Sequence, residues 1–569
     1  LSDIVAIVEI KNPAKHEAES VRHQRTLTWR LALFVVAVGV AVMAPAMLYG
    51  IPSNRDLVNH FRFALPFYDA IHHGHIYPGW LADSNAGYGD ASFRFYPPAL
   101  YYLLALTRTL TGGWYTATLL AFTLLSSIGA LGSYLWARSI VPVNCAVWAA
   151  VFYLLAPYHL NQFYQATLLA EVAGCAVLPF SFLFVERICA GRRSRDIAGL
   201  AISFALLVLT HLPLTVIGSF ALLFYGLVRL PKGDRWATVL RLSAGVGLGL
   251  AASACYWVTV IAEKNLIRAD RVQPDPSVDY RRNFLFSTFS PDNLNVWWMN
   301  ILAGFTLLMI MPALTLWWRS TRESIEPKAI GSVALLFAFT ILMATQLSFP
   351  IWKLIHPLQE TQFPWRWLAI ASLAGSLLLG ACLPFWRGLA QGKKRPLVLL
   401  ASACVIFPIA FSFSHTIREA QFLSAKNFAT TLQSIPGSNS VTQWLPIWAS
   451  DQVRPMESNV EAGSRPVGID SWEPEKRIFH VAAGGPATAR VKTFYYPYWT
   501  ATAAGQPLKA AADQDGALLV ALPLEAANVT LEFIEPRRVH IAAVITALGW
   551  LTIVVLIILG PRSRRRLTV

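Results

Sequence analysis

The chain has 569 residues, 55% of them hydrophobic and only 14% charged, with a mean hydropathy of +0.47 and a formal charge of +15. A set of soluble domains does not reach that apolar balance, so lipid is the expected solvent. The excess positive charge falls in short clusters between apolar runs, a pattern that sets membrane orientation and argues against nucleic acid as a partner.

The first roughly thirty residues are basic and precede an apolar run near 31–49. That run lacks a small-residue cleavage pattern, so it is read as an anchor kept in the mature protein. The chain begins with Leu1, which leaves its true start open. Further apolar runs lie near 115–138, 142–158, 172–189, 196–211, 213–229, 240–261, 299–318, 329–346, 364–386, 396–413 and 539–560. Together they predict an all-α polytopic membrane protein with about twelve transmembrane helices. All six cysteines (Cys145, Cys175, Cys189, Cys255, Cys382 and Cys404) sit in or beside these runs, with neither a disulfide framework nor zinc-ligand spacing.

With a cytoplasmic amino terminus, Arg22, Arg25 and Arg30, then Arg192, Arg193, Arg195, Lys232 and Arg235, all fall inside. So do Arg319, Arg322, Lys328, Lys393, Lys394, Arg395 and the tail arginines Arg562, Arg564, Arg565 and Arg566. This orientation divides the chain into a cytoplasmic segment 1–30, a transmembrane domain 31–414 with outer loops 50–114 and 262–298, an outer region 415–538, and a last helix with a basic cytoplasmic tail, 539–569. The outer region carries strand-like "ARVKTFYYPYW" and "VTLEFI" with the turn signal "QDG", which predicts a C-terminal extracytoplasmic β-rich domain. No internal repeat and no Gly-rich phosphate loop is present, so no nucleotide cofactor is expected.

The first outer loop holds the most chemistry. Leu57, Phe61, Leu65 and Tyr68 recur at helical spacing, which predicts an amphipathic helix starting near Asp56 and lying along the membrane surface. Asp56 and His60 then share a face, where a carboxylate and an imidazole can share a proton, hold a divalent ion or act on a hydroxyl. Ser53 to Asp56 equally matches a capping box, in which Asp56 serves only backbone N–H groups. His72, His73 and His75 are neighbours in sequence that read as a solvated loop before they read as a metal site. Asp83, Asn85 and Asp90 lie among glycines and read first as a turn-rich loop, with a polar substrate cradle as the alternative. The aromatics around Arg94, Phe95, Tyr96 and Tyr101 fit a membrane-interface belt.

Glu171 lies at the outer end of an apolar run, where a carboxylate is either functional or a complement to the helix dipole. Arg366 stands on the outer side, against the usual bias of basic residues, and calls for an anion: a lipid phosphate gripped bidentately, or headgroups reached by snorkelling. His211, at the "THLP" hairpin, and His356, before Pro357, also face outward, where single histidines are more often structural.

The chain resembles the GT-C glycosyltransferases, and more closely a bacterial family labelled as a 6-pyruvoyl-tetrahydropterin-synthase-related membrane domain. The resemblance rests on Asp56 and His60, on Gly74 to Trp80, on "GYG" at Gly87 to Gly89 and on "FYPP" at Phe95 to Pro98. It continues through "APYHL" at Ala156 to Leu160, Ala170 and Glu171, "THLP" at Thr210 to Pro213 and "FPWR" at Phe363 to Arg366. "TFYYPYW" at Thr493 to Trp499 is similar to the carboxy-terminal β-domain of related membrane proteins. The chain departs from the pattern at Ala166, near where the family leads one to expect an arginine. The label does not imply pterin chemistry.

What the resemblance implies is an inverting transfer of sugar from a polyprenyl-phosphate donor to a glycan, lipid or protein acceptor on the outer face of a bacterial inner membrane. Asp56 would be the catalytic base, and Glu171 would orient the acceptor or help hold a divalent metal ion. Arg366, with Lys264 or Arg94, would meet the phosphate, and His60 would tune Asp56 or complete a metal site. Tyr96, His211 and His356 complete the substrate-binding set. Metal dependence, the sugar and the oligomeric state stay open. The rival expectations are a transporter or flippase of lipid-linked saccharide, which calls for charges paired deep within helices and for two similar halves, neither visible in the sequence, and a non-catalytic envelope assembly partner.

Overall fold

The computed structural model describes residues 29–560 apart from 55, 269–276, 288–293, 321–326, 436–443 and 451–452. Most of the amino-terminal segment, Arg322 and the basic tail therefore lie outside the described residues.

Helices cover all twelve apolar runs, as they must where no water can satisfy backbone groups. The first run is α1 (Trp29–Val42) followed by α2 (Ala44–Tyr49), which has Pro45 in its first turn. An amphipathic α3 (Leu57–His72) comes next, then α4 (Ala99–Thr111) and α5 (Trp114–Arg138). The run near 142–158 is α6 (Val143–Leu154) and α7 (Pro157–Tyr164), bent by 41° where Pro157 starts a new helix. There follow α8 (Leu169–Ala190), α9 (Ser194–Thr210) and α10 (Leu212–Arg229). A second broken pair, α11 (Arg235–Ala252) and α12 (Ala254–Glu263), bends by 73°.

The chain continues with α13 (Leu294–Ser320), α14 (Pro327–Ala344), the short α15 (Phe349–Leu354) and α16 (His356–Gln359), α17 (Leu368–Ala390) and α18 (Arg395–Glu419). A short α19 (Ala425–Gln433) precedes the β-region, and α20 (Arg537–Leu559) follows it. Among the described residues, six helices are long and apolar enough to cross a membrane, or up to eight if each bent pair forms one span.

The membrane core gathers around α17, which is almost wholly enclosed by α6, α13 and α14. At the other extreme, α20 exposes most of its apolar surface. It touches α11 through Gly549, whose missing Cβ would stand 2.8 Å from the Ala252 backbone nitrogen, a close approach typical of helices packed in lipid.

The region between α19 and α20 is a sandwich of two antiparallel sheets. One has the order β3 (Val460–Glu461), β6 (Thr488–Phe494), β10 (Ala517–Ala521), β9 (Ala510–Ala512); the other has β4 (Val467–Trp472), β5 (Lys476–Val481), β11 (Ala527–Phe533), β7 (Trp499–Ala503), β8 (Gln506–Leu508). Asp515 and Gly516 of the expected turn join β9 to β10, with Gly516 at φ +84. A two-residue pairing of β1 (Ile51–Pro52) with β2 (Phe422–Leu423) ties the start of the first outer loop to the chain just after α18.

That loop is not a separate layer. Trp80, Tyr88, Ala91 and Phe95 are buried in the same core as Phe479, Val491, Val529 and Leu531 of the sandwich. Trp80 meets Tyr496, Trp499 and Phe533, and Gly89 makes room for it: a Cβ there would fall 2.2 Å from the indole nitrogen, at φ +73. The turn-rich reading of the glycine loop agrees with this packing. Asp90 is fully buried and accepts from the Ser92 N–H at 2.9 Å and the Ser92 hydroxyl at 2.5 Å, while Asn85 donates to Gly89 O.

Candidate functional site

The predicted residues separate into one cluster in the membrane core, a second at its junction with the sandwich, and an exposed remainder.

In the first cluster, α8 begins at Leu169 and places Glu171 in its first turn, 1% exposed. One oxygen of the carboxylate, Oε1, accepts from the Tyr158 hydroxyl at 2.5 Å and from Gln162 Nε2 at 3.0 Å. The other, Oε2, takes Arg366 Nε at 3.2 Å. The anion that Arg366 called for is thus supplied within the chain by Glu171. The guanidinium is buried, donates from Nη1 to Thr361 O at 2.5 Å and lies 4.8 Å from the centre of the Phe363 ring. Among the described residues its Nη2 has no hydrogen-bond partner, so one donor of a buried cation is open.

Asp56 is the N-cap residue of α3, yet its side chain makes no capping hydrogen bond, so the capping-box reading does not hold. Its Oδ1 is 3.4 Å from Asn59 Nδ2, and its backbone N–H donates to Thr167 Oγ1 at 3.4 Å. Thr167 is buried at φ +52, a left-handed conformation that costs a β-branched residue about 1–3 kcal/mol. One turn along α3, His60 is buried with Nδ1 3.0 Å from the Tyr101 hydroxyl.

Tyr96 joins the two halves. Its phenol lies within electrostatic reach of both Asp56 and Arg366; burial pushes it up first and the nearby carboxylate adds to that, so it stays a neutral hydroxyl between an acid and a cation. His211 completes the group, accepting from the Leu214 N–H at 3.2 Å within reach of Arg366 and His60. Asp56, His60, Tyr96, Glu171, His211 and Arg366 therefore come together from five separate parts of the chain.

Arg94 belongs to the second cluster and is not presented to this site. Its Nε and Nη2 bind Glu263 at 2.6 and 2.8 Å, and its Nη1 binds Glu535 at 2.5 Å. Glu263, 0% exposed, also accepts from Tyr496 and Arg538, each at 3.0 Å. Every guanidinium nitrogen of Arg94 is used in welding the segment between α3 and α4 to the end of α12 and to the chain entering α20. Lys264 is exposed beside this cluster, and His356 is 3.4 Å from Glu360 on the surface. Among the described residues, neither Lys264 nor His356 touches the Asp56 and Arg366 group. His72 and His73 turn back onto carbonyls of their own helix, and His75 lies 3.3 Å from Glu475.

Among the described residues, no group of three or more His, Cys, Asp or Glu is arranged to hold a metal ion. Glu171 spends both oxygens on Tyr158, Gln162 and Arg366, so its carboxylate is taken up within the chain.

Besides Glu171 with Arg366, a second charged pair forms at helix ends: Glu186, near the end of α8, binds Arg229, the last residue of α10, at 2.5 Å and Tyr225 at 2.7 Å. Sequence reasoning did not single out Tyr158, Gln162, Thr167 or Glu263. Tyr158 stood inside the quoted "APYHL", and Glu263 ends an apolar run, which is a signal in itself.

A family described as "6-pyruvoyl-tetrahydropterin synthase related domain; membrane protein" matches residues 93–418. Among solved structures, arabinofuranosyltransferase AftD from mycobacteria aligns at 17% identity over 68% of this chain and 27% of its own, with a TM-score of 0.44. Archaeal oligosaccharyltransferase AglB from Archaeoglobus fulgidus, solved with an inhibitory peptide and a dolichol-phosphate, aligns at 14% identity over 76% of this chain and 62% of its own, with a TM-score of 0.48. Arabinosyltransferase EmbB from Mycobacterium smegmatis aligns at 14% identity over 87% and 62%, with a TM-score of 0.38. The chain thus spans about a quarter to three fifths of these proteins. A comparison with curated protein sequences gives no match.

Proposed function

This chain belongs to the family of 6-pyruvoyl-tetrahydropterin synthase related membrane proteins, and from that premise we propose that it is an inverting GT-C-type glycosyltransferase. It moves a sugar from a polyprenyl-phosphate donor to a glycan, lipid or protein acceptor at the outer face of a bacterial inner membrane. The observation that carries the proposal is the pairing around Tyr96: on one side a carboxylate with no helix-capping bond, on the other a buried guanidinium with an open donor.

That pairing suits displacement of a phosphate. Asp56 takes the proton of the acceptor hydroxyl as its oxygen bonds to the anomeric carbon. The bond from that carbon to the phosphate oxygen breaks on the opposite face, and the phosphate leaves with the electron pair. Arg366 meets the departing charge through Nη2, with Tyr96 and His211 as neutral donors, while Glu171 holds the guanidinium in place. The basic clusters between the apolar runs support about twelve spans, both termini in the cytoplasm and the site outside.

The test is transfer of radiolabelled sugar from polyprenyl-phosphate donors by purified protein, comparing wild type with Asp56→Asn. Loss of the base is expected to lower turnover by about 10²–10⁴-fold with folding unchanged. Equal rates would remove Asp56 from the chemistry. Movement of a labelled lipid-linked saccharide across vesicles without transfer would select the rival reading, a transporter of lipid-linked saccharide.

A further inference from the structure

We infer that the segment Pro157–Thr167 is a bracket that sets the spacing between Asp56 and Arg366, with Tyr158 and Thr167 as its two positioning residues. The inference rests on the proposed reading of the site and adds the parts that hold it in register.

The segment touches both halves of the site from opposite ends. At its start, Tyr158 and Gln162 lie one turn apart on α7 and both donate to Glu171 Oε1; Gln162 Nε2 also reaches the Tyr158 hydroxyl at 3.0 Å. Two donors on one oxygen leave Oε2 to face Arg366 Nε, and so fix the plane of the guanidinium. This end is itself anchored, because Asn161 Nδ2 donates to Gln162 Oε1 at 3.0 Å and Asn161 Oδ1 accepts from Trp298 Nε1 of α13 at 2.7 Å.

At its far end the same segment holds the strand-to-helix entry that carries Asp56. Asn54 Nδ2 donates to Gln165 O, and the Asp56 N–H donates to Thr167 Oγ1. Thr167 holds its left-handed conformation while fully buried, and strain of this kind persists only where the surroundings over-determine it. The 41° break between α6 and α7 turns this segment out of the line of the preceding helix. A helix continued straight from α6 would not present Tyr158 to Glu171 and Thr167 to Asp56 at once.

The two ends are therefore expected to fail separately. In full-length protein followed by hydrogen–deuterium exchange, Thr167→Val removes the acceptor and should speed exchange about tenfold across residues 54–60, leaving 361–368 unchanged. Tyr158→Phe should do the reverse. Thr167→Ser keeps the hydroxyl and should match wild type. Asn54→Ala cuts the second tie and repeats the Thr167→Val pattern if that variant folds poorly.

In the transfer assay, Thr167→Val should lower kcat about tenfold with the donor KM within about twofold, and Tyr158→Phe should raise the donor KM about tenfold with kcat nearly kept. If both variants loosen both segments alike, or neither loosens any, the segment is packing and the bracket is overturned. A wild type that transfers no sugar would remove the glycosyl-transfer reading, and the exchange pattern would still decide the bracket.

Discussion

Two buried carboxylate–arginine clusters differ in how completely the arginine of each is used. Glu263 receives four hydrogen bonds, two from Arg94 and one each from Tyr496 and Arg538, and Arg94 spends its last nitrogen on Glu535. Glu171 is also filled, but among the described residues Arg366 Nη2 has no hydrogen-bond partner, and Tyr96 and His211 lie within electrostatic reach of the guanidinium. The contrast lies in the arginines themselves, since among the described residues Glu535 Oε2 and Arg538 Nε of the first cluster are also buried without a hydrogen-bond partner. The Arg94 guanidinium, used at every nitrogen, acts as a joint, and the Arg366 guanidinium is the one we propose as part of the site, although the sequence had offered both arginines as phosphate contacts.

The comparison breaks most visibly at Glu263. Glu263→Gln strips Arg94 of its main counter-ion, and breaking such a buried pair is expected to lower stability by about 3 kcal/mol, the lower end of the usual range because Glu535 still neutralises one side. Thermal unfolding in detergent measures it, and a loss below about 1 kcal/mol would deny the cluster its role as a joint. Glu171→Gln sharpens the contrast from the other side. It should raise the donor KM about tenfold through a guanidinium no longer held in place.

Tyr496→Phe deletes one of four bonds to Glu263 and should cost about 1 kcal/mol with transfer kinetics unchanged. The smallest effect lies at the edge of the joint, where burial pushes the Glu475 carboxyl above its ordinary range against the opposing pull of His75. A carboxyl raised in the folded state binds its proton more tightly there than in the unfolded chain. Its contribution is therefore full below about pH 4 and is lost as the pH rises through the folded value. Unfolding temperatures of wild type and Glu475→Gln should accordingly diverge as the pH rises from about 4 to 7, with the variant the more stable at the upper end.

Much of the helical architecture was legible, since a run of apolar residues too long for any loop has one backbone solution in lipid. The amphipathic start at Asp56 and the strands at 488–494 and 527–533 were equally plain, because their side-chain periods differ. The breaks at Ala156 and Ser253 were not, nor was α4, whose thirteen residues are too few to announce a span. The capping box at Ser53 to Asp56 matched a pattern that the local backbone does not use. Arg94 and Arg366 looked alike because each stood near aromatics on the expected outer side, and nothing local distinguishes a saturated guanidinium from one with a donor open.

The sequence by itself determined the solvent, the sites of the helices, the presence of a β-rich region and the short set of ionisable residues that an apolar chain carries at a cost. Only the tertiary structure decided which of those residues meet. Glu171 and Arg366 are 195 positions apart, Asp56 and Thr167 are 111 apart, and Arg94 and Glu535 are 441 apart. Periodicity acts over a few residues, whereas pairing a buried charge depends on which helices and strands the whole fold brings side by side.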